Sequence, residues 1–374
     1  MINSYNLPYS DTLPVNKLSA VFSSTTASYK FYWFLGILDL IEEHNLAQNN
    51  TVSEPNRISL RMIDIACRMV INSWYPLYCR VNFGPSDKLS TIREALIKAF
   101  KLSEDADRKE LENAFRTDTI GTIEKSLRPL LTYVPYRFLS PWTGSSDSNQ
   151  YIAERSLQKD CQCMYAVLNE EKEIVIAPDW LNYLSVNLMV LRDFIYWNLF
   201  LYLQRRNPHD QFIAGKILRA EQRESLSTRR ELWNTAIEQG VDIICPYTEK
   251  KVVTTLYDLD HFIPWRYVCN NLMWNLTPAD PSINRSKGDS LPDMDAYLYH
   301  FACNQREMIR VLAEDKTAVR NSAAIKDDYL SLGVTLEELA SMDDSSIISF
   351  YDKLIRPYFL QASNIGFPVW KFNK

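Results

Sequence analysis

Between Tyr257 and Pro292 the chain reads YDLDHFIPWRYVCNNLMWNLTPADPSINRSKGDSLP, and several of its polar side chains could share one piece of chemistry. A divalent ion that assists phosphodiester cleavage needs hard oxygen ligands, open coordination positions and a base for the attacking water. Asp260 offers a carboxylate and Asn284 an amide oxygen, which makes them the candidate metal ligands. His261 offers an imidazole that titrates near neutrality, the candidate general base. Neighbours on a strand point to opposite faces, so these adjacent residues can serve one site only where the strand ends or bends. Pro264, in FIPW, supplies such an end. The base must also be kept neutral and oriented, and Asn275 in WNLTP is the candidate for that hydrogen bond. Arg285 and Lys287 flank Asn284 in SINRSK, read as a short helix, and are candidate phosphate-contacting cations. Each residue alone has an ordinary structural reading as a satisfied polar contact, a turn or cap asparagine, or a surface cation. Their order and spacing carry the argument.

That order, DLDHFIPW, WNLTP and NRSKGDSLP, resembles the HNH endonuclease motif in its H-N-N variant. In pattern it is most similar to the HNH domains of RNA-guided CRISPR nucleases. The resemblance covers Ile244 to Pro292, about one-seventh of the chain, and implies a ββα-metal fold in which two antiparallel strands and a helix clasp one Mg²⁺ or Mn²⁺. Position by position it implies Asp260 and Asn284 as metal ligands, His261 as general base and Asn275 as the asparagine that orients it. Lys287 and Arg285 match the basic residues beside the scissile phosphate, and Asp258 the family's other acidic position. Cleavage leaving a 5′-phosphate and a 3′-hydroxyl is implied too, with DNA favoured over RNA. Many HNH proteins brace the module with zinc on two C-x-x-C pairs. Here only Cys245 and Cys303 remain of such pairs, too few for a tetrahedral site, so no structural zinc is expected. The expected brace is apolar packing of Trp265, Trp274, Leu276 and the helix after Pro292.

The rest of the chain has to position this segment. Of 374 residues, 46% are hydrophobic and 23% charged, which fits a folded protein rather than a disordered one. Only nine glycines and many aromatics favour helices over a turn-rich β architecture. The expected class is mainly α with small α+β parts, an HNH module set in a helix-rich chain. Helical spacing recurs at 18–43, 58–80, 88–101, 105–116 and 120–132. CQCMYAVLNEEKEIVIAPDW reads as a hairpin near 160–177, and Cys161 and Cys163 as packing residues on one face of its strand. The apolar segment 180–204 carries Arg192 and Asp193 near its middle, which argues for a buried central helix over a membrane span. The expected divisions are 1–207, a helix-rich part for regulation, docking or dimerisation; 208–300, a basic lead-in helix and the nuclease module; and 301–374, a helical segment packed on the rest.

A net charge of −5 argues against coating nucleic acid by bulk electrostatics, yet seven basic residues stand against three acids between Arg205 and Arg230. That stretch reads either as a solvated helix face or as a phosphate-contacting surface, with Arg219, Arg223 and Arg230 as its candidate contacts. Seven scattered cysteines and no apolar leader point to a reduced, cytoplasmic setting. The function expected is a metal-dependent endonuclease, most simply on DNA, with RNA open, in bacterial or phage restriction or antiphage defence by analogy. Two other readings stand beside it. One is a binding protein on an HNH scaffold; the other is a nuclease subunit dormant until a partner or ligand docks on the helical part. A homo-oligomer or an activating partner protein is compatible with each.

Overall fold

The computed structural model describes residues 7–48, 57–118, 121–144, 148–219, 224–254, 256–314, 323–330 and 332–372. The chain forms two compact units, Met1–Arg219 and Ala220–Lys374. The second unit holds both the motif and the C-terminal helices, and the boundary falls within the basic stretch.

The first unit is helical around one small sheet. Its centre is the helix Tyr29–Gln48, whose residues Phe31 to Leu35 are all buried, against Met62–Tyr78. A helix apolar on every side belongs inside a core. Gly36 lets the two approach: a Cβ there would meet the Ile65 carbonyl oxygen at 2.9 Å. Three antiparallel strands, β1 (Ile58–Arg61), β2 (Ala166–Leu168) and β3 (Glu173–Ile176), run in the order β1-β3-β2, so the hairpin read from sequence gains a third strand. Cys161 and Cys163 lie just before that hairpin. Gln162 between them has φ 48°, and this left-handed turn brings the two buried thiols to 2.8 Å.

The apolar segment at 180–204 differs from expectation. It is two helices, Pro178–Val186 and Leu188–Arg206, broken where the Asn187 side chain donates to the Tyr183 carbonyl (2.8 Å). It is also not wholly buried, since Val186 and Met189 are exposed. Arg192 is paired with the buried Asp39 (2.8 Å) and with Glu42 (2.7 Å), which satisfies its charge within the fold. No helix among the described residues is long and apolar enough to cross a membrane.

In the second unit, β4 (Asp258–His261) pairs antiparallel with β5 (Leu276–Ala279), Asp260 opposite Thr277 and His261 opposite Leu276. The helix Pro281–Lys287 follows at once, its start capped by Asp280, whose carboxylate accepts from the Ser282 and Ile283 N–H groups. This is a ββα unit. The helix Met294–Glu314 supports it: Phe301 stacks on Phe262 with centroids 4.1 Å apart, and Trp274 stacks on Tyr358 of the helix Asp344–Asn364. Trp274 and Leu276 are buried, as the apolar brace requires, while Trp265 is only partly covered. Two further short strands, β6 (Leu291–Pro292) and β7 (Val369–Trp370), pair in parallel and tie the end of the motif to residues far along the chain.

Candidate active site

Asp258 and Asp260 are two apart on β4 and so share a face of the strand. The facing helix presents Asn284 and Lys287, three apart and on one side. The Asn284 amide lies 3.5 Å from the Asp258 carboxylate, and the Lys287 ammonium lies 3.0 Å from Asp260. Lys287 also donates to the His261 carbonyl (2.8 Å), which holds the end of β4 against the helix. Asp260 and Lys287 are both buried. On its other side Asp260 accepts a hydrogen bond from Tyr247, a buried phenol whose pKa burial pushes well up, so that it remains a donor.

His261 ends the strand, and its ring is turned towards the loop that follows. Nε2 lies 2.9 Å from Asn271 Oδ1. The Asn271 amide is oriented by its second bond, Nδ2 donating to the Glu224 carbonyl (3.0 Å), so the group facing the imidazole is an acceptor and Nε2 carries the proton. Burial, the largest influence, lowers the His261 pKa. The nearby Asp260 carboxylate and the bonds to Asn271 and Asn270 oppose it, while Lys287 adds to the lowering.

Asn275 works on the backbone. Its side chain accepts from Ile263 N–H (2.8 Å) and donates to the Ile263 carbonyl (2.9 Å), while its own carbonyl accepts from Phe262 N–H (2.8 Å). It thereby fixes the bend two residues beyond His261, and the direct partner of the ring is Asn271. The sequence offered a weak signal for this, the paired asparagines of CNNLMW.

The expected phosphate contacts are placed unevenly. Arg285 is exposed on the site helix, whereas Lys287 is buried against Asp260. Arg230 donates to the Tyr257 carbonyl (2.7 Å), and its guanidinium lies 4.9 Å from the Tyr257 ring centroid, just ahead of β4. Arg219 closes the first unit, donating to the Asp105 carbonyl (2.9 Å). Arg223 lies outside the described residues. Among the described residues the basic stretch is not one helix but touches three, with Lys216 buried on Asp210 (2.6 Å) and Arg229 paired with Glu224 (2.8 Å).

Two amides complete the frame from the helix Met294–Glu314. Asn304 accepts from Ile244 N–H (3.0 Å) and donates to its carbonyl, and Gln305 donates to the Leu276 carbonyl (2.6 Å) and to that of Met273 (3.2 Å). Buried Gln305 in turn accepts from Tyr329 (2.6 Å). Amides inside an amphipathic helix were the only trace of this in the sequence. Cys245 accepts at Sγ from Asp280 N–H (3.4 Å), a role in the cap turn.

Among the described residues no three His, Cys, Asp or Glu side chains cluster as a metal site. The donors here are two carboxylates and an amide. Hard oxygen ligands of this kind suit Mg²⁺ or Mn²⁺, although Asp260 is already bonded by Lys287 and by Tyr247. By chemical type these residues suit a hard divalent ion, and the Asp258 and Asn284 side of the cluster is less engaged than Asp260. The family model described as HNH endonuclease matches residues 245–293, the span that contains all of these strand and helix positions. No curated protein and no solved structure matches the chain.

Proposed function

We infer, from an HNH endonuclease module at residues 245–293, that the chain is a metal-dependent nuclease hydrolysing phosphodiester bonds in DNA. The observation that carries this reading is the ββα unit, which sets a partly buried imidazole of lowered pKa one residue from an oxygen-donor cluster. With Nε2–H donated to Asn271, the lone pair of neutral His261 is on Nδ1, and that atom takes the proton from the attacking water. Asn275 holds the bend that aims the ring. Asp258, Asp260 and Asn284 would hold the divalent ion, whose chemistry is Lewis-acid stabilisation of the scissile phosphate and the leaving oxygen. Arg285, exposed on the site helix, contacts a neighbouring phosphate, while Lys287 positions Asp260 and the strand end from within.

The test is incubation of the protein with duplex DNA, single-stranded DNA and RNA, with Mg²⁺, Mn²⁺ or a chelator, beside His261→Ala. Expected is metal-dependent DNA cutting reduced by about 10²–10⁴-fold in the variant, the range for loss of a general base. Cutting that survives both the variant and the chelator sinks the reading. A second reading, a subunit dormant until activated, is favoured by one contact: the Lys287 ammonium already neutralises Asp260. Cutting that appears only when a cell extract is added supports it.

A further inference from the structure

Cys161 and Cys163 have no part in the nuclease reading, and both are buried free thiols, at 2% and 8% exposure. Packing alone does not account for their arrangement. On a continuous strand, residues two apart share a face but are carried about 6–7 Å from one another. Here the 3₁₀ turn Lys159–Cys161 comes just before the hairpin, and Gln162 stands at φ 48°, ψ 36°. That left-handed conformation folds the chain back and sets the two Sγ atoms 2.8 Å apart. Non-bonded carbon atoms settle at about 3.5–4.0 Å, so the thiols stand closer than ordinary packing brings a pair.

Glutamine has no preference of its own for positive φ, so its surroundings must hold it there. Three contacts do so. The Gln162 N–H donates to the Lys159 carbonyl (3.3 Å), its carbonyl accepts from the Trp180 indole (3.2 Å), and its side-chain amide donates to the Thr12 carbonyl (3.4 Å). Cys161 is fixed on the same side, its thiol donating to the Trp142 carbonyl (3.8 Å), and the Trp142 ring meets that of Trp180 edge-on at 5.9 Å. Segments far apart in the chain thus combine to present two thiols to each other. A disulfide needs its sulfur atoms at about 2.05 Å, so little movement separates this pair from a bond.

We propose that Cys161 and Cys163 form a redox site, closing reversibly to an intramolecular disulfide by exchange with a small disulfide of the glutathione class. Cys163, the more exposed of the two, makes the attack. Its thiolate bonds to one sulfur of the small disulfide, whose S–S bond breaks and releases one small thiol. Cys161 Sγ then attacks the Cys163 sulfur and displaces the second small thiol. Two electrons pass from the protein pair to the small disulfide, and the two thiol protons end on the two released thiols. Burial, the largest influence, pushes the Cys163 thiol up and makes this exchange slow, while the charges of Lys17 and Arg155 oppose that shift. The site belongs to the first unit, so the proposal stands or falls independently of catalysis at His261.

The test equilibrates the full chain, under native conditions, with graded mixtures of reduced and oxidised glutathione. The samples are quenched in acid, unfolded, alkylated and mapped by peptide mass. Expected is that the peptide holding Cys161 and Cys163 loses both alkylation sites together, and two hydrogens in mass, as the mixture becomes oxidising. Dithiothreitol should restore both sites. Cys161→Ser should stop at one glutathione held on Cys163, with no ring formed. Should that variant fail to fold, the mapping of the unaltered protein decides alone. Two thiols that remain fully alkylated at the most oxidising mixture overturn the proposal. So does a glutathione adduct that persists on either cysteine of the unaltered protein, or a bond from either one to another of the seven cysteines.

Discussion

His261 is buried enough that its charged form is disfavoured, and this sets the pH behaviour of the site. Its folded-state pKa lies below the ordinary imidazole value of about 6.5, so as pH falls the unfolded chain takes up the proton first. Stability is therefore expected to fall as pH drops below about 6.5 and to level off once the folded-state value is passed, measurable by urea melts from pH 5 to 8. The acid limb of the cleavage rate should likewise lie below about 6.5. Asn271→Asp places a carboxylate 2.9 Å from Nε2, and the limb should move up by about 1 pH unit or more. A limb that stays in place removes Asn271 as the partner of the ring. Lys287 and Arg285 separate two roles that the sequence offered as one. Lys287→Ala leaves Asp260 buried without its counter-charge and should cost about 3–5 kcal/mol in a denaturant melt. Arg285→Ala, at an exposed position, should leave stability within about 0.5 kcal/mol and lower the salt slope of DNA binding by about 1.

The elements that carry the site were legible to different degrees. A strand ending near His261 and a short helix in SINRSK were readable from the residues, and the ββα order could be drawn only with the resemblance to the HNH motif. The loop between the strands could not, because an asparagine side chain gives no sign of whether it will bond a ring or a backbone. Asn275 does the latter, and Asn275→Ala orphans both polar groups of Ile263 in a buried setting. At about 1–3 kcal/mol for each unsatisfied group, the variant should unfold at clearly lower urea while its nucleic-acid contacts remain intact. The supporting amides Asn304 and Gln305 were equally silent, since helical periodicity records which face is apolar and not which buried carbonyl a side chain will meet. The break at Asn187 belongs to the same class: Asn198 makes the same bond to the carbonyl four residues back without ending its helix, so no local pattern marked position 187 as the stop.

At the scale of the molecule, composition was enough to give a helix-rich protein with small sheets, because few glycines and abundant apolar residues constrain the class. Partition into units was harder to see. The motif ends near Pro292, yet its packing continues through Phe301, Gln305 and Tyr358, contacts that no local pattern announces. The farthest of these is Trp370, which pairs beside Pro292 and meets the Tyr247 ring edge-on at 5.5 Å, directly behind the phenol that bonds Asp260. Trp370→Ala should cost ~2 kcal/mol, less than the 3–5 kcal/mol of a fully buried tryptophan, and should slow cutting in proportion to the disturbance at Tyr247. The order of synthesis gives this contact a further meaning. A chain growing on the ribosome exposes every motif residue long before residue 370 has been made, and until then β6 lacks its neighbour and Tyr247 lacks the ring behind it. The frame of the HNH module is thus completed only after Trp370 has been made, and a nascent chain stalled between the two strands carries the candidate site residues without the ring behind Tyr247.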